Sequence, residues 1–280
     1  MSNPSMKTTQ IFLACSLALS GAAASAQQAQ IEEKKKSSSA DDLVKATANP
    51  IAAMISLPLQ SNWEKGVGPD NEVRYTMNVQ PVIPFKINED WNLVTRTIVP
   101  IVRMPKNTVD TDASWNLSDT VMTLMFSPAA VSKVIWGAGP VFLLPTATDK
   151  KIGLEKWGLG PSGVILVQQG AWTLGGLANH IWSVAGNSDR TNVSMTYLNP
   201  FATYALGGGW SATMQAEFTQ NWKAEDGQKA TVVWTPVVSK LMTFGKQPVS
   251  IGLGYRHYSK APTGSPDNGV RLVFNFLFPK

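Results

Sequence analysis

WSATMQAEFT, residues 210–219, is the stretch that decides the fold. Apolar and polar side chains alternate along it without a break, so that Trp210, Met214 and Phe218 fall on one face and Gln215 falls on the other. A repeat of two residues is typical of a β-strand whose two faces meet different surroundings. A half-buried strand of a soluble protein gives the same local pattern, so this stretch alone does not indicate a membrane.

The same alternation recurs through the chain from residue 49 onward. The connections between the alternating segments are in turn short, as at Gly170-Ala171, and longer, as at Pro145–Trp157. Barrels of the outer membrane have tight periplasmic turns and longer outward loops. We therefore predict an all-β fold, an antiparallel transmembrane β-barrel of the bacterial outer membrane with about 12 strands. The strands are predicted near residues 51–63, 73–86, 91–104, 115–127, 133–144, 158–169, 172–184, 192–205, 210–222, 229–241, 247–258 and 269–278.

The N-terminal quarter predicts export. Lys7 is the only charge before the apolar run Ile11–Ala24, and Ala24-Ser25-Ala26 matches a cleavage site of the A-x-A type. Residues 1–26 are therefore predicted to be a signal peptide, since a spanning helix needs roughly 20 apolar residues. The charged and serine-rich stretch after it predicts a solvated, polar periplasmic tail over 27–48, with a short helix starting near residue 41. Residues 49–280 are predicted to form the barrel.

Composition excludes several functional classes. The formal net charge is +5, and removal of Lys7 with the signal peptide leaves a small, dispersed excess that does not indicate nucleic-acid binding. Cys15 is the only cysteine, and the two histidines are far apart in the sequence. We therefore predict no disulfide, no metal site and no cofactor in the processed chain.

Tryptophans fall near the predicted strand ends, and only Trp234 of the ten lies near a strand centre. Indole rings prefer the two membrane interfaces, where they form aromatic girdles. In a soluble β-protein more of them would lie in mid-strand core positions. The predicted girdle consists of Trp63, Trp91, Trp115, Trp136, Trp157, Trp172, Trp182, Trp210 and Trp222.

Prolines inside the predicted strands count against this fold. Each one lacks the N–H that a β-ladder requires, and bulges or bends would have to absorb them. They include Pro81, Pro84, Pro100, Pro140, Pro161, Pro200 and Pro236.

Four motifs resemble a known family. They read NPIAAMISLPLQ at 49–60, GVGP at 66–69, NVQPVIPF at 78–85 and WNLVTRTIVP at 91–100. They resemble a family of outer-membrane proteins named for the meta-pathway of phenol degradation and often described as transporters. The resemblance runs from Asn49 to the C-terminus, and it implies an outer-membrane barrel with a transport role and no catalytic residues. The last strand also resembles the signal that the outer-membrane assembly machinery reads, although Pro279 and Lys280 follow the final aromatic residue.

Six charged residues are predicted to line the pore. Their strands place the arginines on adjacent parts of the closed barrel and the two acids elsewhere on the wall. Charged side chains on the lumen face set selectivity. One hypothesis is a basic wall that faces a weakly acidic one and favours anionic or polar solutes. The alternative is that the arginines pair with loop acids or hydrate the lumen. The six residues are Arg74, Arg96, Arg256, Arg271, Glu217 and Asp119.

The predicted function is passive passage of small solutes, with anionic or aromatic ones as candidates. A barrel of about 12 strands has a narrow interior, which disfavours a wide general porin. The expected partners are outer-membrane lipid, the assembly machinery and a small-molecule solute. Two alternatives stay open: a lipid hydrolase that uses His257 and Ser259, which share one strand face, and a structural envelope barrel. The channel prediction itself assigns no catalytic residue.

Overall fold

The computed structural model describes residues 40–106, 113–130 and 132–279. The predicted signal peptide and residues 27–39 of the predicted tail lie outside these ranges. The described residues form one helix, α1, over 40–47 and fourteen β-strands. The strands are β1 Ile55–Val67, β2 Glu72–Val79, β3 Val82–Lys86, β4 Trp91–Met104, β5 Ser114–Leu117, β6 Thr120–Pro128, β7 Val134–Leu144, β8 Lys156–Gln169, β9 Trp172–Gly186, β10 Ser194–Gly207, β11 Trp210–Asn221, β12 Ala230–Phe244, β13 Gln247–Lys260 and β14 Asn268–Phe278.

These strands close into one antiparallel barrel. Neighbours in the chain pair in order, and β1 closes the barrel on β14 from Ile55 opposite Phe278 to Lys65 opposite Asn268. β2 and β3 both pair with β4 and are two parts of one barrel strand. β5 and β6 likewise both pair with β4. The described residues therefore form a closed barrel of 12 strands, and the predicted fold class is confirmed.

The outer face of the barrel is apolar. Its most exposed aliphatic side chains include Val184 and Leu253, at 62% and 60%. The nine tryptophans of the predicted girdle are all exposed, from 38% for Trp91 to 61% for Trp115. Several of them pair with another aromatic ring, as Trp91 does with Trp136 at a centroid distance of 6.0 Å. Such an exterior suits lipid on one side of a wall whose inward side chains are largely polar. No helix among the described residues is both long and apolar enough to cross a membrane.

The in-strand prolines lie where the β-ladder is interrupted. Pro81 separates β2 from β3, and Pro100 lies on β4 opposite the break between β5 and β6. Pro84 pairs with β4, whereas β1 reaches β3 only at Ser56 opposite Val82. A proline lacks only its own donor, so a position without a facing acceptor tolerates it.

The remaining four prolines follow the same rule. Each pairs with one neighbouring strand and falls in a gap of the register with the other. The gap faces β6 for Pro140, β9 for Pro161, β11 for Pro200 and β13 for Pro236. The prolines are therefore compatible with the barrel, because each one lacks its N–H group at a position where the pairing with one neighbouring strand is interrupted.

Helix α1 packs into the end of the barrel that carries the short connections, which we call the turn end; the opposite end is the loop end. Val44 is 3% exposed and contacts a cluster that includes Leu241 and Leu277. The Asp41 carboxylate accepts a hydrogen bond from the Gly209 N–H at 3.3 Å. The described part of the predicted solvated tail, 40–48, is therefore held inside the barrel. Its apolar residues recur at helical spacing, a pattern that the preceding charge run obscured.

Residues 48–54 continue from α1 into the lumen. The Asn49 side-chain oxygen accepts a hydrogen bond from the Ile51 N–H at 3.0 Å, which shapes the turn after the helix. Ile51 is 6% exposed and packs with inward residues that include Val82, Val94 and Leu177. We call residues 40–54 the plug, because they fill the turn end of the lumen before β1 begins.

Candidate functional site: the plugged lumen

Two glutamates hold three arginines in the loop-end half of the lumen. Glu64 Oε2 accepts from Arg74 Nη2 at 2.7 Å, and Glu64 Oε1 lies 3.2 Å from Arg256 Nε. Glu217 Oε2 lies 2.9 Å from Arg256 Nη1, and its Oε1 lies 3.3 Å from Arg271 Nη2. Arg256 therefore joins the two acids. We call these five side chains the ion-pair layer, which reaches across the lumen from β2 to β11.

Neutral side chains add hydrogen bonds to this layer. Asn62 Oδ1 accepts from Arg271 Nε at 2.7 Å, and the Tyr258 hydroxyl donates to Glu64. Arg271 and Glu64 are 2% and 4% exposed. Buried charges are tolerated when they are paired and hydrogen-bonded. The layer therefore connects the side chains of strands that are not neighbours in the barrel.

Arg96 is the inward arginine that the ion-pair layer does not hold. Its Nη2 donates to Gln80 Oε1 at 2.7 Å, and no carboxylate lies within ion-pair distance of it in the part of the chain that the structure describes. A guanidinium group has five N–H donors, and Gln80 uses one of them. Arg96 therefore has donors for a solute.

Asp119 serves a loop rather than the pore. It lies at the break between β5 and β6 and is 7% exposed. Its carboxylate accepts from the backbone N–H groups of Ala147 at 3.2 Å and Leu154 at 2.6 Å. The predicted pore-lining role of Asp119 therefore differs from its observed contacts, because both oxygens hold the connection 145–155.

Replacing Asp119 by asparagine is expected to release that connection without opening the barrel. An amide gives up a charge-assisted acceptor, which costs about 1–2 kcal/mol locally. Limited proteolysis should then cut within 145–155 faster than in the parent protein. Asp189→Asn, in the exposed turn after β9, serves as the matched control. Equal cleavage rates for both variants would contradict the anchoring role.

The structure brings Arg74, Arg256, Arg271 and Glu217 together and leaves Arg96 apart. The acids do not form a separate wall, because Glu64 lies among the arginines. Glu64 is absent from the predicted pore-lining residues because the first strand is predicted to end at residue 63. The alternation continues past that point, and β1 extends to Val67. Following the two-residue repeat one step further would have placed Glu64 inward.

Two adjoining cavities lie between the ion-pair layer and the plug. The first has a volume of about 250 Å³, and the second has about 160 Å³. Both are smaller than the roughly 300–1,000 Å³ of pockets for drug-sized ligands. The first is lined largely by amide and hydroxyl side chains, such as Gln60, Asn199, Thr213, Gln215, Ser239 and Asn275. The second adds Arg96, Val82 and Leu177 to plug residues.

The lumen wall in the turn-end half has two chemically different sides. The inward residues of β6, β8 and β9 include an apolar group there, formed by Met125, Val164 and Leu177 among others. The inward residues of β11 and β12 are polar at many positions, including Gln215 and Ser239. The plug places Ile51 against the apolar side and leaves the polar side open as the first cavity.

The predicted pair His257 and Ser259 is not assembled as a catalytic site. The Ser259 hydroxyl accepts a hydrogen bond from Trp234 Nε1 at 3.2 Å. No hydrogen bond joins His257 to Ser259 among the described residues. A base must reach its serine for nucleophilic catalysis, so this geometry does not favour the hydrolase.

The second histidine belongs to a polar cluster on the outer face. His180 Nδ1 lies 2.7 Å from Thr196 Oγ1, and its Nε2 lies 3.3 Å from Ser194 Oγ. Trp222 Nε1 donates to the same Thr196 hydroxyl at 2.9 Å. No carboxylate is hydrogen-bonded to this imidazole within the described ranges. Those ranges also contain no group of three or more His, Cys, Asp or Glu side chains that could hold a metal ion.

Comparison with known proteins bears on the fold. No family model matches the sequence, and no curated protein matches it. The COG4313 outer membrane channel from Pseudomonas putida F1 superposes with a TM-score of 0.59 at 12% identity, covering 81% of this chain and 95% of that one. The NanC porin superposes with a TM-score of 0.51 at 10% identity, covering 80% of this chain and 100% of that one. The chain therefore has the fold of bacterial outer-membrane channel barrels. Membership of the phenol-pathway family stays a prediction.

Proposed function

We propose that this protein is an outer-membrane channel for the passive passage of small solutes and that its lumen favours anions. The apolar exterior and aromatic girdle suit the membrane, and the turn end is expected to face the periplasm. Outer-membrane lipid and the barrel assembly machinery are the expected partners outside the lumen. The cavities are enclosed partly by the plug, which precedes β1 and is not part of the barrel wall.

The observation that carries the anion preference is the charge inside the lumen. The ion-pair layer and Arg96 together contain four guanidinium groups and two carboxylates, Glu64 and Glu217. Two positive charges are therefore in excess among these groups. Charged side chains along a pore set its ion selectivity. Arg96 contributes most directly, because it borders the second cavity without a carboxylate partner.

Reversal potentials in planar bilayers with a KCl gradient test this proposal. We expect channel openings to show chloride preferred over potassium, and Arg96→Gln to reduce that preference while the barrel stays folded. Arg103→Gln is the matched control, because Arg103 is exposed on the same strand and lies opposite the outward Tyr75 and Trp115. A clear preference for potassium in the parent protein would refute the anion bias.

A further inference from the structure

We infer that the lumen contains a binding site for a small solute that carries a carboxylate on an apolar body, and that Ile51 of the plug occupies the apolar part of this site in the plugged state. The inference rests on the proposed function, because it names the solute class of the same lumen. It also assigns the plug a role, since a bound solute would replace Ile51. Three features of the lumen support it.

The first feature is the apolar niche itself. Ile51 packs with inward side chains of several strands, including Val82 of β3, Val94 of β4 and Leu177 of β9. These side chains lie inside a lumen whose other wall is hydrogen-bonding. An apolar niche within a polar pore attracts a solute with an apolar body. It disfavours a sugar-like solute, because hydroxyl groups buried there would lose their hydrogen bonds to water.

The second feature is the charged edge of the same niche. Val82 and Leu177 line the second cavity together with Arg96 and Gln80. Arg96 is thus next to the apolar side chains and retains unused N–H donors. Planar guanidinium groups bind carboxylates in a bidentate manner. A carboxylate on Arg96 would leave the rest of a compact solute over Val82 and Leu177, in a space of about 160 Å³ that grows when Ile51 leaves.

The third feature is that Ile51 belongs to a replaceable segment. The hydrogen bonds between the plug and the barrel wall include those of Asp41 with Gly209 and of Gln168 with the Lys45 carbonyl, at 3.3 and 2.9 Å. Both bonds involve α1 rather than the segment around Ile51. Ile51 is therefore held by apolar contacts of the same kind that a solute would make. A ligand that binds only where Ile51 is absent shifts the plug toward its released state.

Calorimetric titration of the detergent-purified full chain tests the site with three probes. Benzoate carries both groups, acetate carries only the charge, and benzyl alcohol carries only the ring. We expect benzoate to bind at least about tenfold more tightly than either of the others. Arg96→Gln should weaken benzoate binding about ten- to hundredfold and leave benzyl alcohol unchanged, since a charge-assisted hydrogen bond is lost. Arg103→Gln should change neither affinity.

Ile51→Ala and Ile51→Val test the competition. Both should tighten benzoate binding, the alanine variant by about tenfold or more, because the plug then competes less well. The milder valine variant keeps the test valid if alanine disturbs folding.

A spin label at Ala48→Cys, in a chain whose Cys15 is replaced by serine, should become more mobile with benzoate and not with acetate.

Three results would overturn the inference: equal binding of acetate and benzoate, unchanged benzoate affinity in both Ile51 variants, or unchanged label mobility at saturating benzoate. None of these measurements depends on flux. A barrel that conducts anions but binds no benzoate would therefore refute only this inference. A barrel that binds benzoate but conducts nothing would refute only the proposed channel.

Discussion

Deleting residues 40–54 is expected to raise the mean conductance of the barrel by at least about tenfold. A tenfold change corresponds to about 1.4 kcal/mol, and the buried Val44, Ile51 and Met54 contribute apolar contacts of that order or larger. The deletion ends before Ile55, the first residue of β1, so all barrel pairings remain available. Single-channel recordings of parent and deletion variants measure the effect.

Point variants separate the plug from the rest of the lumen. Val44→Asn places an amide in the apolar contact of α1 with Leu241 and Leu277, so it should raise the conductance in the same direction. Asp42→Asn is the matched control, because Asp42 is exposed on the same helix. An unchanged conductance in the deletion variant would show that the ion-pair layer, and not the plug, closes the lumen.

Replacing Glu217 by glutamine is expected to be among the most destabilising single substitutions in the barrel. The change leaves Arg256 and Arg271 facing each other without the carboxylate between them, and their side chains are 8% and 3% exposed. Removal of one partner from a buried ion pair costs about 3–5 kcal/mol. Denaturant unfolding in detergent micelles should show this loss as a lower midpoint.

The position of the charge, and not its sign alone, determines this cost. Asp226→Asn removes a carboxylate that pairs with Lys229, but the Asp226 side chain is 96% exposed. We expect no measurable change in unfolding from that control, because water screens exposed pairs. Equal midpoints for Glu217→Gln and the parent would indicate that the ion-pair layer is solvated rather than buried.

The strands were predictable because each one has one face toward lipid and the other face toward the lumen. Alternation is a local property, so the twelve barrel strands could be located from the sequence to within a few residues. The same alternation predicts that the arginine side chains point into the lumen. It places the end of the first strand at residue 63 and therefore omits Glu64. β1 instead continues to Val67.

The features that sequence reasoning could not supply are contacts over long separations. Asp41 meets Gly209 across most of the chain, and Asp119 meets Leu154 through a loop that carries no regular pattern. The prolines posed the same difficulty. Their tolerance depends on the register between strands, as for Pro161 in the gap toward β9, and register does not follow from either strand alone.

The pairing of α1 with Leu277 has a consequence for the order of biogenesis. The helix precedes all of the described strands, yet Leu277, one of the residues it packs against, lies on the last of them, β14. We expect α1 to complete this packing only after β14 has been synthesised and has paired with β1. We expect α1, although it is synthesised before these strands, to be among the last elements to reach its final position. We therefore expect a newly assembled barrel to have an open lumen until α1 has packed into it.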